Sequence, residues 1–287
     1  MRGRLKGGFG IRGPGLNPEC RNGISTRPLG LPGYPDGYDS LMPPYKEQGI
    51  VQRSHKLGEA DKIVTIMTQG SGKVRAVAKG IRKTTSRFGA RLEPFTHVSL
   101  MLYHGRGALD TVTQAEIIAP HAAIRDDLAL FAAGETMLEA VDKVAEEHEK
   151  NVKLVLLLLA GLRALDTKPA APDAVAESFL LKLLSLSGFH PSLTACAVCG
   201  ATDPELFSAG LGGAVCARCA EGGAGHVSRA ALTYLAELAM ADMVDAGAIA
   251  MPEDRVRKES RALLFGFAEY HLERRMKSVP MLVRTAR

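Results

Sequence analysis

Between Lys46 and Ile118, apolar and polar residues alternate with a period of two, in five runs rich in Val, Ile and Thr. That is the signature of strands whose successive side chains point to opposite faces. The runs fall at Glu47–His55, Asp61–Thr68, Lys73–Gly80, Phe95–His104 and Leu109–Ile118. Gln69-Gly70-Ser71-Gly72 and Gly105-Arg106-Gly107 each separate two alternating runs, as antiparallel hairpins require. Five short strands predict a small closed barrel, and the five-stranded OB-fold is the expected form because it is the common nucleic-acid-binding one. After Pro120 the period becomes helical, with Ile124, Leu128, Phe131, Leu138 and Val141 on one apolar face. Further helices are predicted at 151–166, 173–187 with Gly188 as the stop, 228–246 with Ser228 as N-cap and Gly247 as the stop, and 252–277. The run Leu154–Leu159 is apolar on all sides, which predicts a helix at the centre of a bundle.

The chain therefore reads as α+β: an OB-fold barrel over residues 43–119, an α-helical domain over 120–282 and a short tail at 283–287. Residues 1–42 contain ten glycines and five prolines, a composition that cannot bury enough apolar surface to order itself. They are expected to be a disordered extension: either a basic arm, or sequence upstream of a later start at Met42. No apolar core of a secretory signal follows the first basic residues. The longest strongly apolar run, Leu154–Leu162, is bounded by Lys153 and Arg163 and falls well short of the roughly 20 residues of a membrane span. A cytoplasmic, reducing compartment is the expectation.

Net charge refines this division. The whole chain is +5, but residues 1–42 carry +3, residues 43–118 carry +6 and residues 119–287 carry −4. A concentrated positive module joined to a mildly acidic one suits a domain that meets phosphates beside one that meets protein.

Four of the five cysteines form two knuckles, Cys196-Ala-Val-Cys199 and Cys216-Ala-Arg-Cys219, with 16 residues between them. This spacing lets each knuckle supply two sulfurs to one tetrahedral zinc ion, and the intervening glycines suit a hairpin that brings the knuckles together. One structural zinc per chain, in a module over 192–226, is expected; four sulfurs leave no open position for substrate. Cys20 reads as incidental, and His226 as a surface residue.

Lys73, Arg75, Lys79, Arg82, Lys83, Arg87 and Arg91 form a basic stretch without an acidic residue before Glu93. Alternation puts Lys73, Arg75 and Lys79 on one strand face, opposite Val74, Ala76 and Ala78. In an OB-fold this region faces nucleic acid, so phosphate contacts are expected here, with stacking a minor contribution because only Phe88 interleaves the charges. A phosphate-loop motif fails, since Met67 and Val74 stand at required positions; no metalloprotease, hydrolase-elbow or zinc-deaminase pattern occurs. No catalytic residue is expected.

Several segments together carry a family resemblance: Gln48-Gly49-Ile50-Val51, His55 through Val64, Ala78-Lys79-Gly80-Ile81-Arg82-Lys83, Ser86 through Phe95, the four-cysteine module, and Tyr270 through Ser278. From about Tyr45 to Leu282 the chain resembles the bacterial RecO family, particularly its actinobacterial members. The resemblance implies an OB-fold followed by a zinc-bearing helical domain, and a non-enzymatic recombination mediator in DNA repair. Such a protein binds single- and double-stranded DNA, promotes annealing and, with RecR, helps load RecA onto strands covered by single-stranded DNA-binding protein. It further implies that Lys79, Arg82, Lys83, Arg87 and Arg91 contact the DNA backbone, that Cys196, Cys199, Cys216 and Cys219 hold zinc, and that the acidic tail of single-stranded DNA-binding protein docks on the helical domain. For that tail, Arg255, Arg257, Lys258, Arg261, Arg274, Arg275 and Lys277 offer a basic face. The alternatives are an RNA- or transcription-associated protein with an OB barrel and zinc ribbon, or a zinc enzyme acting on nucleic acid.

Overall fold

The computed structural model describes residues 43–82, 88–105 and 107–285; the expected extension at 1–42 lies outside them. Five strands, β1 (Tyr45–Leu57), β2 (Asp61–Thr68), β3 (Gly72–Ala78), β4 (His97–Tyr103) and β5 (Asp110–Ala119), close into a barrel in the order β1-β2-β3-β5-β4. β1 pairs antiparallel with both β2 and β4, and a short parallel contact of β3 with β5, Ala76 to Asp110 and Val77 to Thr111, completes the ring. This is the expected OB-fold arrangement. Asp110 is fixed at that closure by the Tyr45 hydroxyl, which donates to it at 2.5 Å, and by His104 at 3.1 Å. Between β3 and β4 a 3-10 turn at Gly89–Leu92 drops Leu92, and with it Phe88, into the barrel interior beside Val64, Ile66, Val74, Leu100 and Val112.

The alternation that writes the strands has two destinations. Val51, Val64 and Ile66 fill the barrel, whereas Ile50 and Met67 belong to the core of the helices, joined by Phe95. Phe95 stands at a positive φ of 72°, its N–H donating to the Val51 carbonyl at 2.9 Å, and its ring meets Phe131 edge-on at 5.5 Å. Barrel and helices thus share buried surface.

Eight helices follow among the described residues: α1 (Ala122–Asp126), α2 (Leu128–Val144), α3 (Val152–Asp166), α4 (Pro172–Leu186), α5 (Arg229–Met240), α6 (Met243–Ala246), α7 (Asp254–Leu272) and α8 (Val279–Thr285). Asp127 breaks the first predicted helix by capping α2, its carboxylate accepting from the N–H groups of Ala129 and Leu130. Leu128 consequently lies in an exposed first turn, off the apolar face predicted for it. The predicted 228–246 helix is two, α5 and α6, parted at Ala241 and Asp242, and the predicted 252–277 helix ends at Leu272. Ser228 caps α5 as expected, accepting from Ala231. Gly188, at φ 89°, ends α4 in the reciprocal bonds of a Schellman turn, Phe189 N–H to Leu184 O and Gly188 N–H to Ser185 O.

The centre of the bundle is α4 and not the leucine-rich α3, on which Leu156 is exposed. α4 is buried from Asp173 to Leu181 without interruption, although Asp173 and Glu177 are acidic. Arg257 and Arg261 of α7 reach them: Arg257 donates to Asp173 at 2.5 Å, and Arg261 donates to Glu177 at 2.6 Å and also to Asp173. A charge is tolerated in a low-dielectric interior only when paired and hydrogen-bonded, so these four residues must be buried together. Burial drives Glu177 up to about 7 while Arg261 pulls it down.

The sign of that balance makes the network testable. Arg261→Ala leaves buried carboxylates under-compensated, and a loss of about 3–5 kcal/mol in urea unfolding is expected. Without Arg261 the folded state holds the Glu177 proton more firmly than the unfolded chain does, so the deficit should shrink as pH falls from 8 to 5. A deficit under about 1 kcal/mol, or one that grows in acid, contradicts the network.

Candidate nucleic-acid interface and metal centre

The β1–β2 hairpin register sets the first part of the candidate interface by placing Lys56 directly opposite Lys62. Like charges across a strand pair repel, and Glu93 at 3.4 Å from Lys62 offsets part of that repulsion. The segment leaving β3 is stitched to this same hairpin. Gly80 N–H donates to the Asp61 carboxylate at 2.7 Å, Arg82 N–H to the Ala60 carbonyl at 3.0 Å, and the Arg82 guanidinium to the Gly58 carbonyl at 3.1 Å. Glu93 follows the 3-10 turn that carries Arg91, so its contact with Lys62 draws this turn to the same region. Lys79, Arg82 and Arg91 are all exposed there. Lys83 and Arg87 lie outside the described residues.

Lys73 and Arg75 stand elsewhere. β3 runs against the segment after α2: Lys73 N–H donates to Glu146 O, and His148 N–H donates to Lys73 O. Gly72 makes the approach possible, since a Cβ there would sit 2.0 Å from the Glu149 carbonyl. Lys73 Nζ donates to the Asp142 carbonyl at 3.1 Å and lies 3.6 Å from its carboxylate, and Arg75 lies 3.8 Å from Glu147. Arg53 joins the same anchor at 2.5 Å from Asp142. The alternating pattern separates this face from the barrel interior as predicted, but acidic groups of the helical part cover it.

The Lys56–Lys62 pair is the basic feature that the sequence pattern did not single out. Its signal was available in the register: Gly58 at φ 60° turns the chain so that residues 56 and 62 face one another. Composition alone does not reveal that pairing.

The metal centre is built by a three-stranded sheet, β7-β6-β8, of β6 (Leu206–Ser208), β7 (Gly213–Val215) and β8 (Gly225–His226). Each knuckle turns back on itself: Gly200 N–H donates to Cys196 O at 2.9 Å, and Ala220 N–H to Cys216 O at 3.0 Å. Cys196 N–H also donates to Ala201 O, and Ala197 N–H to Ala214 O ties the first knuckle to β7. Cys196, Cys199, Cys216 and Cys219 thereby converge, all four sulfurs within 4.8 Å of one another. Cys199 and Cys216 are 3.8 Å apart, too far for a disulfide at about 2.05 Å. That separation is the edge expected for a tetrahedron with metal–sulfur bonds of about 2.3 Å. His226 is not one of the group.

The electrostatics fit a cation. Backbone N–H groups of Cys199 and Cys216 hold the Cys196 thiol down at about 6. Hydrogen bonds with Cys199 and Cys216 that favour the protonated thiol in turn push Cys219 up to about 12, and burial and the charge of Cys196 add to the rise. Four thiolates coexist this closely only around a positive ion. These residues fit a metal, and a closed shell of four sulfurs leaves no coordination position open for substrate.

Comparison with known proteins covers both parts of the chain. The family model "Recombination protein O N terminal" matches residues 42–121, and "Recombination protein O C terminal" matches residues 125–280. A "DNA repair protein RecO" from Frankia casuarinae is 44% identical over 246 residues, spanning 85% of this chain and 100% of the relative. Proteins of the same name from Nocardioides sp. and Bifidobacterium longum are 44% and 40% identical, covering 84% and 83% of this chain and 99% and 98% of their own length.

If the thiolates hold a metal, chelation of the full chain should lower its melting temperature, and Cys216→Ser should lower it by a similar amount with no further loss on adding chelator. A melting profile unchanged by either treatment removes the metal from the account.

Proposed function

The chain belongs to the RecO family of DNA repair proteins, and from that premise we propose that it is a non-enzymatic recombination mediator that binds single- and double-stranded DNA and promotes annealing of strands. The observation that carries the DNA-binding part is the clustering of Lys56, Lys62, Lys79, Arg82 and Arg91 around one end of an OB barrel. Lys83 and Arg87 extend this set in sequence. Lysine and arginine without ordered base-reading groups favour contacts to phosphates, which every strand offers irrespective of sequence. Lys73 and Arg75 are assigned to holding the barrel on the helices. DNA is met at the other end of β3.

The ion we assign to the four thiolates is zinc, since an all-sulfur tetrahedral set suits it and its role is to fold the lobe around it. The partners proposed are RecR, RecA through loading, and single-stranded DNA-binding protein through its acidic, phenylalanine-ending tail. Of the basic residues on α7, Arg257 and Arg261 are committed to the buried network. Lys258 remains exposed, beside a cavity of about 410 Å3 floored by Phe265, Val279 and Val283. Asp254 also lines this cavity, so the exposed lysine and the apolar floor are what an acidic peptide ending in an aromatic residue would use. The bacterial cytoplasm, at the nucleoid, is the proposed location; among the described residues no helix is long and apolar enough to cross a membrane.

Fluorescence anisotropy of a labelled single strand across a salt series tests the reading. The logarithm of affinity should fall linearly with the logarithm of salt. Arg82→Ala combined with Lys83→Ala should reduce that slope by about one to two units and weaken all sequences alike. Lys73→Ala should instead lower the melting temperature and leave the slope unchanged. A flat salt response, or a matched RNA competing far better than DNA, defeats the proposal.

A further inference from the structure

We infer that the helical domain carries a second contact for single-stranded DNA, a base-stacking site at the C-terminal end of α7 formed by Tyr270 and Phe189 around His271, with Arg274 and Arg275 for the phosphates. The inference rests on the DNA-binding reading above and adds a site to it. Among the described residues the barrel cluster offers charge but no exposed phenylalanine or tyrosine ring. Phe88, which interleaves the basic residues in sequence, is buried in the barrel core. A strand held there has its phosphates neutralised and its bases unsupported.

The end of α7 supplies what is missing. Phe189, the first residue past the Gly188 turn, stacks on the His271 ring at 4.7 Å and 26°. His271 also meets Phe267 at 4.2 Å and the edge of Tyr270 at 5.1 Å. Its Nε2 is 3.1 Å from the Ala209 carbonyl, at the tip of the β6–β7 hairpin of the metal lobe. Tyr270 lies against the next residue of that tip: a Cβ on Gly210 would be 3.1 Å from its hydroxyl. Three segments distant in sequence therefore hold the rings in fixed planes, which lowers the ordering cost of stacking a base on them.

These rings are not core. Tyr270 is 58% exposed and Phe189 36% exposed. Past Tyr270, Glu273 adopts a left-handed conformation at φ 51° and turns the chain. Arg274 and Arg275 follow, both exposed, and among the described residues neither has an ion-pair or hydrogen-bond partner. The acidic groups nearby in sequence are Glu273 itself, exposed, and Glu269, which is occupied by the Met276 N–H. Exposed rings, with unpaired guanidinium groups four and five residues past Tyr270, offer the two kinds of contact, to bases and to phosphates, that a single strand presents whatever its sequence.

The full chain titrated with a fluorescent oligothymidylate, and with an abasic strand of the same length, distinguishes stacking from charge. Tyr270→Ala and Phe189→Ala should each weaken oligothymidylate binding about tenfold and leave abasic binding unchanged. Tyr270→Phe, which keeps the ring, should behave as wild type. Alanine variants that bind oligothymidylate as tightly as wild type overturn the site, as does an equal loss on both strands. Equal affinity of the wild-type chain for the two strands also removes this site while leaving the mediator reading intact; binding of neither strand removes both.

Discussion

The burial of two carboxylates in the N-terminal half of α4 governs the arrangement of the helical domain. A helix enclosed on all sides gains the most from apolar burial, yet Asp173 and Glu177 would forfeit that gain if left unpaired. Arg257 and Arg261, one turn apart on α7, meet both and so fix where α7 crosses α4 and in what rotation. Further consequences follow along α7. Glu259, two residues from each arginine, accepts from the Ser228 N–H and hydroxyl and so secures the residue that caps α5. From the other side, α4 presents Ser178 and Lys182 to the last carbonyls of α5, Leu238 and Ala239. The farther end of α7 delivers His271 to the hairpin of the metal lobe.

The barrel depends on the helices in a different way. Ile50, Met67 and Phe95 leave the barrel's own interior and enter the helical core, and β3 is bordered by the acidic segment after α2. Arg53 and Lys73 both converge on Asp142. The positive charge of the first domain is therefore divided. One part neutralises helical carboxylates at close range, where it is half-shielded from salt and from any ligand. The other part lies around the β1–β2 turn, away from the helical carboxylates, with Lys56 and Arg82 exposed. A net charge counted over the domain cannot express this division.

What the sequence made legible was local. Strand alternation, the Ser228 cap, the Gly188 stop and the paired knuckles each depend on residues a few positions apart, and each appears where it was expected. What escaped depends on long-range pairing. α3 looks more central than α4 because it is richer in leucine, and only arginines more than 80 residues away make the two acidic residues of α4 compatible with the interior. Likewise, alternation shows which face of β3 avoids the barrel core, but not that Asp142 and Glu147 wait on that face. The break between α5 and α6 and the short final helix α8 carry only weak local signals.

The metal lobe raises the question of why a chain with an extensive apolar core should need an ion. Its three strands have three, three and two residues, and few of its side chains, chiefly Leu193, Phe207, Ala214 and Val215, are buried. So little apolar area cannot offset the conformational entropy of ordering such a glycine-rich segment. A cation bound by the four thiolates would supply that missing energy in one place and couple it to folding. The gain is positional: with both knuckles tied, the β6–β7 tip is held where Ala209 meets His271 and Gly210 meets Tyr270. An ion held there would therefore act on the exposed end of α7 through the backbone it orders, with no open coordination position needed.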